Sequence, residues 1–470
     1  MIVPKCKIFL FLFVFQWLLL VPFNKVAAQK IQYSNENVFI DYPHNLQLLP
    51  AIGGNHHLLN IVDQEYLLIF VFNQQLVLQA QTRLPFKLAE RSEVRIIPFA
   101  DYYYVYIHER FSPKYSFWKV DAHGNYTDCS AAFQKIIVSQ VKNVKLGFQL
   151  LNIENELWMV YHTDLSDLTK STVVVVKTDS LLNIVLEHKV QYDFSRETEE
   201  LEKEMLMFGR YLLVLKTMNS GTSLEIMKVN LATGFTIRNK FSSSGYFFNQ
   251  SGIHYNTEDS SVTISSLLTE PTAQAYPKRF IFVSRLNKIL VEQSPFAVLK
   301  SQFAKRTSTS FLLVDGLSKW VSISKGRGVS MDAQPLLDID GSPLSYSGNT
   351  YSIEDVEHGI RFSLLSKELK IISDTLVPNR KNSYNLKAGP FARFSANNKD
   401  YLLMIQEFSQ RKQGLLMINA NDAHHLLFTD IAVNDRNEYL LQKAKPIPQS
   451  GIVIPYTNKK EVGLVKITVE

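Results

Sequence analysis

Short apolar runs of Val, Ile, Leu, Phe and Tyr recur along almost the whole chain, separated by patches of Asn, Asp, Gly and Ser. Helical spacing of the apolar positions is almost absent, so the pattern predicts strands bounded by turns. The clearest unit is strand, polar turn, strand. Residues 116–120 lead into Asp121-Ala122-His123-Gly124 and then 125–127; residues 173–177 lead through 178–180 to 184–186. Residues 224–229 lead through 230–234 to 235–237, and residues 280–283 through 284–287 to a strand at 289–291. The same unit is read around Asn73, Lys367 and Asn419. With turns placed at 73, 121, 179, 230, 286, 367 and 420, the steps are 48, 58, 51, 56, 81 and 53 residues. A strand repeat at such steps predicts a series of four-stranded antiparallel sheets, which cannot bury both faces alone and so must stack on one another.

These units, of which Lys119-Val120-Asp121-Ala122-His123-Gly124-Asn125 is the most typical, resemble those of β-propeller repeat proteins over nearly the whole chain. The resemblance implies an all-β fold of eight blades of about 55 residues each, or seven if one unit is false. The weakest unit spans 301–376. Strands at 451–456 and 463–469 are expected to be the second and third of a last blade, and a lone strand at 37–42 to complete it. Pairing of the N- and C-terminal strands then closes the ring and leaves no open edge. The likeness is architectural, since neither a double-glycine kelch signature nor a Gly-His…Trp-Asp pattern occurs. Propellers host binders, hydrolases, lyases and oxidoreductases alike.

The first residues change the picture of where the chain works. Lys5 and Lys7 precede an uncharged run of 16 residues, 8–23, and Val26-Ala27-Ala28 offers small residues before Gln29. This is the pattern of a cleaved signal peptide, and the run is short of the roughly 20 residues that span a bilayer. The expected organisation is a signal peptide at 1–28 and one domain at 29–470, with an insertion around 316–359 or, in its place, a further pair of strands that includes Trp320 to Ile323. The mature chain is expected in the periplasm or outside the cell, with no transmembrane segment. Removal of three lysines takes the formal net charge from +6 to +3, which gives no reason to expect a nucleic-acid partner. One cysteine, Cys129, remains, so stability must come from a core rather than an internal disulfide. No motif surrounds Cys129, which reads as a small buried apolar residue.

Signatures of chemistry are missing. There is no His-Glu-x-x-His, no paired cysteines, no Gly-x-Ser-x-Gly elbow and no glycine-rich phosphate cradle, so neither a metal nor a cofactor is expected. Asp338-Ile339-Asp340-Gly341 lacks the later ligands of a calcium loop and reads as a turn. Tyr102, Tyr104, Tyr106 and His108 alternate onto one strand face, read as packing between sheets rather than a sugar-stacking surface. The acidic run from Glu197 to Glu204 reads as a solvated connection between the third and fourth units.

The long connections all belong to one end of the repeated unit, and loops on a rigid scaffold are where function concentrates. Candidate ligand-binding residues there are His108, Glu109, Arg110, His162, Asp164, Asp167, Arg380, Lys381 and Arg411. The expected function is non-enzymatic binding of a protein or glycan. The alternative is a glycan hydrolase or lyase with its carboxylates at the mouth of the ring.

Overall fold

Strand follows strand from residue 29 to residue 469 in the computed structural model. Within that span it describes all residues except 41–45, 63–65, 85–91, 110–114, 141–148, 154, 164–169, 194–198, 209–210, 219–220, 231–234, 244, 256–260, 270–278, 291–296, 301–309, 314–319, 324–349, 357–358, 366–370, 379–384, 410–411, 420–426 and 432.

β1 (Gln29–Tyr33) and β2 (Val38–Phe39) come first. The first full sheet is β3 (Leu46–Leu48), β4 (His56–Val62), β5 (Tyr66–Phe72) and β6 (Leu78–Leu84). The second is β7 (Ser92–Pro98), β8 (Tyr102–Glu109), β9 (Tyr115–Asp121) and β10 (Tyr126–Asp128), followed by helix α1 (Ser130–Gln140). The third is β11 (Gln149–Ile153), β12 (Glu156–Thr163), β13 (Lys170–Thr178) and β14 (Ile184–Asp193). The fourth is β15 (Glu199–Phe208), β16 (Tyr211–Met218), β17 (Ser223–Asn230) and β18 (Thr236–Ser242). The fifth is β19 (Phe247–Tyr255), β20 (Val262–Thr269), β21 (Arg279–Leu286) and β22 (Ala297–Lys300). The sixth adds a strand: β23 (Ser310–Leu313), β24 (Trp320–Ile323), β25 (Thr350–Val356), β26 (Gly359–Leu365) and β27 (Ile371–Pro378). The seventh is β28 (Asn385–Ala396), β29 (Lys399–Ser409), β30 (Lys412–Asn419) and β31 (Leu427–Ile431). β32 (Glu438–Tyr439), β33 (Lys445–Ile447), β34 (Gly451–Asn458) and β35 (Glu461–Val469) form the eighth together with β1 and β2. In each four-stranded sheet the strands lie side by side in chain order, and every pairing is antiparallel.

Period-two alternation decides how the sheets stack. Along β8, Tyr103, Val105 and Ile107 join Leu59, Ile69 and Val71 of the first sheet, whereas Tyr104 and Tyr106 join Met159, Val174 and Val176 of the third. Along β16, Leu212 and Val214 face Val160 and Val175 of the third sheet, and Leu213 and Leu215 face Ile264 and Phe282 of the fifth. Strands buried on both faces read as continuous apolar runs, which is why YYYVYI and YLLVLK carry no polar stripe. Leu403 and Met417 of the seventh sheet pack with Ile454 and Val465 of the eighth. Val453 and Leu464 of the eighth pack with Leu58 and Phe70 of the first.

The hairpin turns after the third strands of the first, second, third and fifth sheets are built alike. Asn73, Asp121 and Asp179 each accept two backbone N–H bonds on Oδ1, from the residues two and four places on, at 2.8–3.0 Å. The fourth residue of each turn is then left-handed: Leu76 (φ +57°), Gly124 (φ +84°) and Leu182 (φ +65°), with Leu290 (φ +60°) in the turn that starts at Asn287. Leucine in that conformation costs about 1–2 kcal/mol, and burying its side chain returns roughly 1.5–3 kcal/mol. Burial wins: Leu76, Leu182 and Leu290 are all buried, each in a cluster that its own sheet shares with another, the eighth, the second and the fourth respectively. Polar groups of the preceding sheet reach the same turns. Asn55 Nδ2 and His57 Nε2 donate to the Ala122 carbonyl at 2.9 and 3.1 Å, and Asn239 Nδ2 donates to that of Leu290 at 2.8 Å. Leu182→Ala keeps the strained backbone and loses the side chain, whereas Leu182→Gly loses the side chain and relieves the strain. Chemical denaturation is therefore expected to rank the glycine variant above the alanine variant by about 1 kcal/mol, with both below the parent. The reverse order would mean that the left-handed backbone carries no cost.

Several sequence expectations are corrected. Residue 290 is not in a strand: β21 runs on through Ser284, Arg285 and Leu286, the turn closes through Leu290 N on Asn287 O at 2.9 Å, and β22 begins at Ala297. The acidic run is not a connection, because Glu199 to Glu204 belong to β15 and pair with β16 across irregular register steps. The first pairing of the N-terminal segment with β35 lies earlier than residues 37–42. Gln29–Tyr33 pairs with Val465–Val469, and Val38–Phe39 then pairs with Val462 and Glu461. Within the expected insertion, Trp320–Ile323 pairs with Ser310–Leu313 as a fifth strand of the sixth sheet. Helix α1 was not expected; Asp128 Oδ1 accepts from Ser130 N at 2.8 Å at its start, and Phe133 and Ile136 bury one face in the core. Cys129 is half-buried beside that helix, where burial pushes its thiol up.

Candidate functional site

The two ends of the first, second, third and fifth sheets differ. At one end lie the plugged turns at 73–77, 121–125, 179–183 and 287–290; at the other lie the connections between second and third strands and from sheet to sheet. His108 stands at this second end, near the last residue of β8, in register with Tyr115 of β9. Its ring stacks on Tyr115 at 4.7 Å and 14°, and on Tyr106 at 6.4 Å and 29°. His108 and Tyr115 are half-buried, and burial raises the Tyr115 hydroxyl. The stack leaves one imidazole and one phenol at the rim of the second sheet, able to form hydrogen bonds and to present ring faces.

The remaining predicted residues divide between strand ends and segments outside the description. Glu109 ends β8 and His162 lies in β12, one residue from its end, both at the loop end of their sheets. Arg110, Asp164, Asp167, Arg380, Lys381 and Arg411 lie outside the described residues, as do Asp338 to Gly341. The rest of the aromatic face packs as expected. Tyr104 and Tyr106 are buried, Tyr104 stacks on Phe117 at 4.5 Å, and Phe117 stacks on Phe133 of α1 at 4.1 Å. Among the described residues no three His, Cys, Asp or Glu side chains group as a metal site. No described helix is long and apolar enough to cross a membrane.

Sequence reasoning passed over a buried polar group in β4. His56 and His57 open the strand and both are buried. Burial pulls each imidazole down to about 4, with Lys466 adding to the effect on His56. Since the Ala122 carbonyl accepts from His57 Nε2, that nitrogen carries the proton, while Nδ1 is buried with no hydrogen bond and Tyr103 meets the ring edge-on at 5.3 Å. The signal was present in HHLLNIV, where two histidines head an otherwise apolar strand. His57 thus fastens the first sheet to the second, and both buried side chains are closed to a ligand.

No family model matches the chain, and no curated protein matches it in sequence. Among solved structures it is similar to a prolyl endopeptidase at 8% identity and TM-score 0.40, over 88% of this chain and 55% of that one. It is also similar to a Synechocystis apocarotenoid oxygenase variant at 8% identity and TM-score 0.41, over 87% of this chain and 94% of that one. The chain thus spans about half the length of the endopeptidase. Similarities at this level carry no argument about activity.

Proposed function

We propose that the eight sheets are blades of one closed propeller, that the chain is exported with residues 1–28 removed, and that its loop-bearing end binds a protein or glycan without catalysing a reaction. Ring closure is supported by the clusters that the seventh sheet shares with the eighth and the eighth with the first. It is supported too by contacts of β7 with β11, β11 with β15 and β15 with β19, since first strands arranged around an axis would meet in this order. The observation that carries the binding reading is the difference between the two ends. One end is locked by short turns buried in the neighbouring sheet, while the other holds the long connections and the His108–Tyr115 stack.

A glycan array and an envelope pull-down with the chain starting at Gln29 test this reading. Saturable retention of one ligand class is expected, weakened when His108→Ala and Tyr115→Ala remove the stack. Turnover of a polysaccharide by the same preparation overturns it in favour of a glycan-active enzyme. Mass spectrometry of the protein purified from its host is expected to find Gln29 first; Met1 there refutes export by cleavage.

A further inference from the structure

We infer that a second copy of this chain docks on the outer edge of the third sheet, through antiparallel pairing of β14 with itself. β14 is the last strand in the order β11-β12-β13-β14, and among the described strands it pairs with β13 alone. It spans ten residues, so among the described residues one backbone edge is open along a length that natural sheets usually shorten, charge or cover. Its first three positions are apolar and exposed: Ile184, Val185 at 60% and Leu186, with Leu181 at 76% in the turn just before them. The outer strands of the first and fourth sheets differ. β6 reads LQAQTRL and β18 TIRNKFS, each with polar residues breaking the apolar positions.

The occupant follows from the charge pattern of IVLEHKVQYD. Centred on His188, an antiparallel pair of two β14 strands sets Glu187 of each copy opposite Lys189 of the other. The same register sets Leu186 opposite position 190 and Ile184 opposite position 192. Directly opposed opposite charges stabilise an antiparallel pair and like charges oppose it, so the register is self-complementary about its two-fold axis. Moving the centre by half a residue, to between Glu187 and His188, places Leu186 against Lys189 and loses both charge pairs. Within one copy the Lys189 ammonium already lies 3.3 Å from the Glu187 carboxylate, so both groups stand on the same face of the strand.

Sedimentation equilibrium on the chain starting at Gln29 tests the proposal, with circular dichroism to check that each variant folds. The unsubstituted chain is expected to dimerise. Glu187→Lys alone and Lys189→Glu alone each create two like-charge oppositions and are expected to weaken the dimer at least about tenfold. An equimolar mixture of the two variants restores both pairs and is expected to form heterodimers as tight as the parent. So is the double variant with itself. A monomeric parent, a dimer indifferent to both reversals, or a mixture no tighter than its components each overturns the proposal.

Discussion

Between pH 6.5 and about 4 the folded chain is expected to lose roughly 3 kcal/mol of stability for each of His56 and His57. Both imidazoles are held neutral by burial, whereas in the unfolded chain they take up protons as the pH falls through 6.5. The unfolded state then binds more protons than the folded one, so stability falls with pH. The loss levels off only near 4, where the folded state also protonates. The contribution is complete above 6.5. Protonating His57 would put a charge on a buried Nδ1 with no hydrogen bond beside the Tyr103 ring, and protonating His56 would put one near Lys466. Because the two rings also repel each other once charged, the joint loss need not be a simple sum. Urea unfolding at a series of pH values measures this directly. His57→Gln keeps a donor within reach of the Ala122 carbonyl and cannot titrate, so its profile is expected to be shallower by about half. A profile of His57→Gln parallel to the parent across this window would show that His57 does not titrate in it.

Deleting residues 29–40 is expected to cost more than any single substitution. The segment pairs β1 and β2 along β35 and buries Val38 and Ile40 between the eighth and first sheets. Ile31 and Tyr33 pack against the cluster shared by the seventh and eighth sheets. Its polar groups are joined as well. The Tyr33 hydroxyl lies 3.2 Å from that of Tyr439 and accepts from Asn434 N at 2.8 Å, and the Tyr456 hydroxyl donates to Asn37 Oδ1 at 2.9 Å. Gly463 makes room for that last contact, since a Cβ there would collide with the Tyr456 hydroxyl and with Asn37. Two buried and two partly buried apolar side chains, at roughly 1.5–3 kcal/mol for each one fully buried, amount to about 5 kcal/mol, comparable to the whole stability of a marginal domain. Deletion also bares β35, a nine-residue apolar edge open to aggregation. A chain beginning at residue 41 is therefore expected to be insoluble, or to melt at least about 10 °C below the chain beginning at Gln29. Melting within a few degrees of the longer chain would mean that the terminal strands are ornamental. A synthetic peptide of residues 29–40, added during refolding, is expected to recover part of the difference.

Much of the repeat was legible because its turns are chemical. Asp121 and Asp179 mark hairpins at the positions where the strands turn, as their carboxylates hold the backbone two and four residues on. The turn expected over 284–287 begins instead at Asn287, and the strand expected at 289–291 is absent at Leu290. An apolar leucine there signals a plug into the sheet before it, here the fourth, and local pattern does not distinguish a plug from a strand. The acidic residues of β15 misled for a related reason: charge suggests solvent, but backbone pairing with β16 tolerates it. Of the candidate site, His108, Glu109 and His162 stand at the loop ends of their strands, and the stack of His108 on Tyr115 needed two strands brought into register.

By itself the sequence determined a chain built almost wholly of strands in a repeated antiparallel hairpin pattern, the spacing of most of its sheets and the polar turns that end several third strands. Those properties are local, fixed by alternation and by side chains bonding to their own backbone. Tertiary structure alone decided which face of each strand meets which neighbour, that buried leucines accept left-handed backbone, and that Gln29–Tyr33 pairs with the far end of the chain. Contacts across 400 residues are set by burial of surfaces that only meet once the sheets have formed.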